Sequence, residues 1–272
     1  MIVVTGATGN VGRPLVQALV DAGAPVTAVA RRAAEMPAGV RSVQADLIEP
    51  ESLAPVLRGV EAMFLLTGPD FLAKGDIAKV AKVVEKAGVP RVVLLSSQGV
   101  GTKRHSPHLE DAVRQLDVEW TMVRPGNFDS NALQWAESVR TGRVVVAPFG
   151  DVALPAVDPV DIAEVAAVAL REPGHGGAIY TLTGPEPISP RQQAEAIGDV
   201  LGEPVRFVEE SREQARTRML GFMPELVVEA TLDVLGTPTA AEQSVQSDVE
   251  RVLGRPARTF TEWAARHIAA FR

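Results

Sequence analysis

The chain of 272 residues contains no cysteine, which excludes disulfides, thiolate nucleophiles and Cys-ligated metals. Tyrosine occurs once, at Tyr180, and lysine only at positions 74, 79, 82, 86 and 103. No apolar run approaches the roughly 20 residues needed to span a bilayer. Residues 1–4 are too short for the apolar core of a secretory leader and lack its charged flank. A cytoplasmic protein without membrane contact is expected. Positive charge is in deficit, with 27 Lys and Arg against 34 Asp and Glu and a net charge of −7. Nucleic-acid binding, which needs a basic footprint, is therefore not expected. His105, His175 and His267 have no paired spacing and no acidic neighbour that suggests a metal site.

What is present is an ordinary globular composition, 46% hydrophobic and 22% charged. The first half alternates short apolar runs with amphipathic stretches. Strands are expected at 2–4, 26–30, 42–45, 62–66, 91–96 and 120–123, and helices at 11–20, 50–59, 76–87 and 108–116. Strands alternating with helices of this length indicate βαβ units and a parallel sheet. After Pro125 and Gly126 helices dominate, at 132–139, 160–170, 190–201, 212–220, 224–235 and 260–271, with short strands at 179–182 and 205–208. The expected fold is α/β, a doubly wound parallel sheet with a smaller, mostly helical C-terminal lobe.

The first strand runs into Thr5-Gly6-Ala7-Thr8-Gly9-Asn10-Val11-Gly12. Gly6, Gly9 and Gly12 follow a strand and open a helix, the context in which such a spacing carries meaning. Gly6 permits the tight turn, Gly9 lets the backbone approach a pyrophosphate, and Gly12 lets the helix pack close to the sheet. The helix N-terminus then offers free N–H groups and partial positive charge to the phosphates. At the end of the second strand an acidic residue would select NAD by bonding the ribose 2′-hydroxyl, and an Arg would accommodate the 2′-phosphate of NADP. The chain has Ala30-Arg31-Arg32 there and no carboxylate before Glu35. NADP(H) is the expected cofactor and NAD(H) the alternative. Asp46 after the third strand and Thr67 after the fourth are placed to line its adenine and nicotinamide ends.

These residues, with Ala45-Asp46-Leu47, the stretch from His108 through Glu110 to Trp120-Thr121-Met122-Val123-Arg124, and Asp158-Pro159-Val160-Asp161, resemble the NmrA-like family of atypical short-chain dehydrogenases. The stretch from His108 through Phe128 is similar to a segment of two members, the type 2 NADPH quinone oxidoreductases and the triphenylmethane reductases. The resemblance covers nearly the whole chain. It implies a Rossmann domain at 1–130 with 155–185 returning to it, and a substrate-binding lobe at 131–154 and 186–272. It also implies that a cleft between the two holds the substrate. By the same resemblance the cofactor contacts are Gly6, Thr8, Gly9, Asn10, Val11, Gly12, Arg31, Asp46, Thr67, Ser96 and Phe128. The isoflavone-reductase branch carries a catalytic Lys on the helix after the fifth strand; here that helix has none, and Lys103 precedes it.

Most short-chain dehydrogenases use a Tyr-x-x-x-Lys pair, whereas here the residue four places after Tyr180 is Gly184. Reducing an isolated ketone leaves an alkoxide and calls for a positioned proton donor. Reducing a quinone leaves a delocalised phenolate, whose conjugate acid has a pKa of about 10, and water can protonate it later. Binding cofactor and acceptor face to face then carries most of the catalysis. The sequence therefore suggests an NADPH-dependent reductase of a quinone or other conjugated aromatic small molecule. Gln98 and His108 are the catalytic candidates, with Gly99 beside the first. Asn127, Phe71, Trp135 and Phe149 are candidates for the substrate side, with Phe222 and Met223 as further apolar walls. Ser96-Ser97 lacks the glycine elbow of a hydrolase. Two other readings stay open: a non-catalytic redox sensor of the NmrA type, and a pathway enzyme acting on an aromatic polyketide quinone. The oligomeric state and the identity of the acceptor are not encoded in any recognisable motif.

Overall fold

The central strands of the first half are short, mostly apolar runs buried on both faces, as expected where helices cover both sides of a parallel sheet. In the computed structural model, which describes residues 1–32 and 34–272, they fall in chain order with the intervening helices. The order is β1 Ile2–Thr5, α1 Gly12–Asp21, β2 Val26–Ala30, β3 Arg41–Gln44, β4 Ala62–Leu65, α2 Pro69–Lys74, α3 Ile77–Ala87, β5 Arg91–Leu95, α4 Gln98–Gly101, α5 His108–Arg114 and β6 Glu119–Pro125. The chain continues through α6 Ala136–Gly142, β7 Val144–Ala147, α7 Pro159–Arg171, β8 Ile179–Leu182, α8 Pro190–Leu201 and β9 Arg206–Glu209. It ends with α9 Arg212–Met219, α10 Glu225–Gly236, α11 Ala240–Gln243, α12 Asp248–Leu253 and α13 Phe260–His267.

The described residues form two compact units. The first comprises Met1–Pro125, Pro159–Leu182 and Arg251–Gly254; the second comprises Gly126–Asp158, Thr183–Glu250 and Arg255–Arg272. Segments 126–130 and 155–158 thus belong to the second unit.

In the first unit seven strands pair in the order β3-β2-β1-β4-β5-β6-β8, every described pairing being parallel. Successive side chains on a strand point to opposite faces. Val3, Met63, Leu65, Val92, Leu94 and Met122 face one core, closed by Val80, Val83 and Val84 of α3 and Val113 of α5. α1 and α7 pack against each other and against the strands, α7 through the fully buried Ala163, Ala166 and Ala169. Burying each Val or Leu stabilises the unit by roughly 1.5–3 kcal/mol. α3 is bounded by local chemistry. Asp76 caps it by accepting from the N–H groups of Ala78 and Lys79, and Gly88 ends it in the left-handed conformation at φ 65°.

The second unit holds the small parallel sheet β7-β9 and most of the remaining helices. Val139, Val145, Ile197, Val205, Phe260, Trp263 and Phe271 form its main core. A smaller core joins α9 to α10 through Ala215, Met219, Val228 and Leu232. Ser189 opens α8 with a capping box to Gln192, and Pro190 occupies the first helical position. Two sequence expectations are corrected here. β7 was not anticipated, because its partner β9 lies some 60 residues away and its Val146 is exposed. The helix expected at 132–139 is a 3-10 segment, Asp129–Trp135, followed by α6.

Candidate functional site

Strand order places the site. From β1 the chain moves outward through β2 and β3, then returns to β4 on the other side of β1. Such a reversal opens a crevice at the carboxyl ends of the strands, where open α/β sheets bind ligands. Thr5 ties the two strand ends together: its hydroxyl accepts from the Leu66 N–H at 2.8 Å and donates to the Phe64 carbonyl at 3.0 Å.

The turn from β1 into α1 has the form that its glycines require. Gly6 sits at φ 63°, and a Cβ there would lie 2.7 Å from Leu66. At Gly12 a Cβ would stand 2.1 Å from the Gly6 carbonyl oxygen and 2.8 Å from the Ala7 Cα, so no other residue fits without moving backbone. Gly9 differs: a Cβ would meet only the Gly6 oxygen, at 3.3 Å, and Thr8, Gly9 and Asn10 are exposed. The loop is therefore an open cradle at the head of a ten-residue helix whose first turn carries no acidic residue. Arg13 braces it by donating to the Thr8 carbonyl at 3.1 Å. The helix dipole and the absence of side-chain bulk at Gly9 fit a pyrophosphate.

The other expected contacts of the first unit also lie at strand ends. Arg31 and Arg32, just past β2, are exposed, and the Arg31 guanidinium pairs with Asp70 of α2. Asp46 forms a tight turn, its carboxylate accepting from the Ile48 N–H at 2.9 Å while its own N–H donates to Ser52 Oγ at 3.0 Å. Thr67 follows β4 and is half-buried; Val11 is buried at the start of α1.

Beyond β5 lies a buried network of charges. Glu110, on α5, is fully buried. Its Oε1 accepts from Ser96 Oγ at 2.5 Å and from Arg124 Nε at 2.7 Å. Its Oε2 accepts from Arg124 at 2.6 Å and from Arg114 at 2.8 Å. Burial pushes the Glu110 carboxyl up, but the hydrogen bonds from Arg124 and Ser96 and the charges of Arg124 and Arg114 outweigh it. The net effect holds the group below the ordinary glutamate value. The hydrogen bond to Glu110 correspondingly raises Arg124. A serine whose hydroxyl hydrogen is committed to a carboxylate can only accept further hydrogen bonds. The available signal was Arg124 itself, a charged side chain ending a run of buried strand residues, which requires a partner.

Gln98 opens the one-turn helix α4 and is half-buried. His105 folds back over the same turn: its Nδ1 lies 3.1 Å from Ser97 Oγ, and its ring occupies the space where a Gly99 side chain would stand. His108 is exposed and meets Ser106 Oγ at 3.2 Å. Structure thus puts His105, and not the candidate His108, against the residues that leave β5. Phe71 is buried in the core of the first unit, where its ring fills the space beside Gly75, so its side chain is spent on packing. The remaining candidates lie in the second unit. Trp135 is buried in its main core. Asn127 and Phe128 are half-buried; Asn127 Oδ1 accepts from Asn131 at 2.7 Å, and Phe128 bridges to Val157. Phe149 has φ 56° and packs against Gly236. Tyr180, 7% exposed on β8, lies with its hydroxyl 2.7 Å from His175 Nδ1. Among the described residues no cluster of His, Asp and Glu is arranged to hold a metal ion, and no helix is long and apolar enough to cross a membrane.

A doubly wound parallel sheet with this glycine turn defines a dinucleotide-binding α/β protein. The profile of the NAD(P)H-binding family matches residues 6–173, and the chain belongs to that family, among its NAD(P)H-dependent oxidoreductases. Over its full length it is 41% identical to 99% of a (4-alkanoyl-5-oxo-2,5-dihydrofuran-3-yl)methyl phosphate reductase from Streptomyces griseus. It is likewise 36% identical to 99% of an NAD(P)H azoreductase from Xenophilus azovorans. The fold matches the NADPH complex of a quinone oxidoreductase from Escherichia coli, with TM-score 0.81, 22% identity, and coverage of 98% of this chain and 99% of that one. It matches the NADP(H) complex of a Citrobacter triphenylmethane reductase with TM-score 0.81, 23% identity, and coverage of 98% and 100%.

Proposed function

We propose that the protein is an NADPH-dependent reductase of small conjugated acceptors, in which the double bond that takes the hydride is conjugated to electron-withdrawing or aromatic groups. The observation that carries this reading is the position of the single tyrosine. Tyr180 is buried on an edge strand against His175, and no Lys follows it at the spacing that tunes a phenol for proton donation. An acceptor whose reduced form is a strongly basic alkoxide would be poorly served. The relatives point the same way: a dihydrofuranone in which one alkene carbon carries two carbonyls, and an azo compound, are both conjugated acceptors. Quinones belong to the same chemical class.

When bound, the reduced nicotinamide supplies a hydride. The chain's own contribution is to hold and orient. The glycine turn and the head of α1 would hold the pyrophosphate, and Arg31 the 2′-phosphate. Ser96, whose hydroxyl hydrogen is committed to Glu110, would accept a hydrogen bond from the cofactor at the end of β5. His105 and Gln98 shape the turn that follows. Hydride addition converts the acceptor to a delocalised anion, and water returns the proton, so proximity and orientation supply most of the rate. The test is protein-dependent loss of reduced-nicotinamide absorbance with quinones, azo dyes, triphenylmethane dyes and doubly activated alkenes. Tight cofactor binding with no turnover on any of them would favour a sensor and overturn the proposal.

A further inference from the structure

Arg31 follows the last residue of β2, and Asp70 lies in the first turn of α2, after β4. In the sheet β1 stands between β2 and β4. The Arg31–Asp70 ion pair therefore spans the carboxyl end of β1, the strand that feeds the glycine turn. Neighbouring strands are about 4.8 Å apart, so the two partners reach across roughly 10 Å, a span that an Arg and an Asp side chain together can cover. Both are mounted on anchored backbone. Gln44 of β3 donates to the Arg31 carbonyl at 3.1 Å, and the Thr5 hydroxyl holds the Leu66 N–H at the exit from β4. Both side chains are more than half exposed, which leaves the pair open to exchange.

A guanidinium offers paired N–H groups that suit a carboxylate and a phosphate monoester equally. The two anions are alternative partners for one cation. We propose that Asp70 sets the cofactor preference by competing with the ribose 2′-phosphate for Arg31; this rests on the reading of Arg31 as the 2′-phosphate partner. NADP(H) must displace the Asp70 carboxylate and leave it beside a dianion. NAD(H), with a 2′-hydroxyl, binds with the pair intact. Asp70 thus narrows the advantage of NADP(H) and lets the protein accept both cofactors.

The experiment is titration of the full-length protein with NADPH and with NADH, for wild type, Asp70→Asn, Asp70→Glu, Arg31→Ala and the double variant Arg31→Ala/Asp70→Asn. Exposed ion pairs are weak, so the expected gain is modest: NADPH binds about three- to fivefold more tightly to D70N. NADH changes by less than about twofold, and the NADPH gain shrinks at high salt as screening sets in. D70E behaves as wild type. In the Arg31→Ala background the D70N gain disappears, which a merely structural role of Asp70 would not produce. The proposal is overturned if D70N leaves NADPH affinity unchanged, shifts both cofactors equally, or keeps its gain without Arg31. If Arg31→Ala alone weakens both cofactors equally, the assignment of Arg31 has failed. If it weakens NADPH selectively while D70N does nothing, the role of Asp70 alone is wrong.

Discussion

Arg124 grips Glu110 with two hydrogen bonds, Nε to Oε1 at 2.7 Å and a terminal nitrogen to Oε2 at 2.6 Å, inside the first unit and out of solvent reach of the carboxylate. The pair joins β6 to α5 and carries Ser96 with it. Removing one member of a buried pair strands the other, at a cost of about 3–5 kcal/mol. Glu110→Gln keeps the volume and some of the hydrogen bonding, so its loss should lie at the low end, about 3 kcal/mol. In a chain of this size that lowers Tm by roughly 6–12 °C. Thermal melts of the two proteins check it, and equal midpoints would remove the pair from the stability of the unit.

The same carboxylate gives a pH dependence with a definite sign. Its folded pKa lies below the ordinary glutamate value, so its stabilisation is fully present above that value and is lost as pH falls through the folded pKa. Urea midpoints of wild type and Glu110→Gln should therefore differ most near neutrality and converge in acid. A gap that widens as pH falls would contradict the assignment.

The glycines of the first turn should separate folding from binding. Gly12→Ala forces a Cβ against backbone and should cost both the stability of the β1–α1 corner and cofactor affinity. Gly9→Val meets only one carbonyl oxygen on an exposed loop, so the fold should survive while the cradle is filled. Calorimetric titration with NADPH should find no binding to Gly9→Val in a protein whose circular dichroism is that of wild type.

Tyr180→Phe tests the chemistry. Losing the hydroxyl against His175 should cost about 1 kcal/mol of stability. Removing a general acid would lower kcat by about 10²–10⁴-fold, whereas this variant should stay within about twofold of wild type. Steady-state rates on any accepted substrate decide the point, and a hundredfold loss would return Tyr180 to the active site.

How much of this the sequence revealed depends on the range over which each feature is encoded. β1, β2, β4 and β5 are apolar runs buried on both faces, and the glycine turn is contiguous, so both could be read locally. Arg31 could be singled out because it stands at a strand end. Glu110 and Arg124 are 14 residues apart on different elements, and Arg31 and Asp70 are 39 apart. Neither pairing leaves a periodic trace. The place of His105 could not be read, since nothing in the chain announces that the turn after β5 folds back on Gly99. β7 was missed for the same reason, as its pairing is set by tertiary contact with β9.

The most direct measurement compares protein-dependent NADPH oxidation on a conjugated acceptor, such as a naphthoquinone or a doubly activated alkene, with that on an isolated ketone of similar size. Turnover on conjugated acceptors with the ketone slower by about 10² or more is the predicted result, since the ketone lacks its general acid. Comparable rates on the ketone, or NADPH oxidation by no conjugated acceptor at all, would contradict the account.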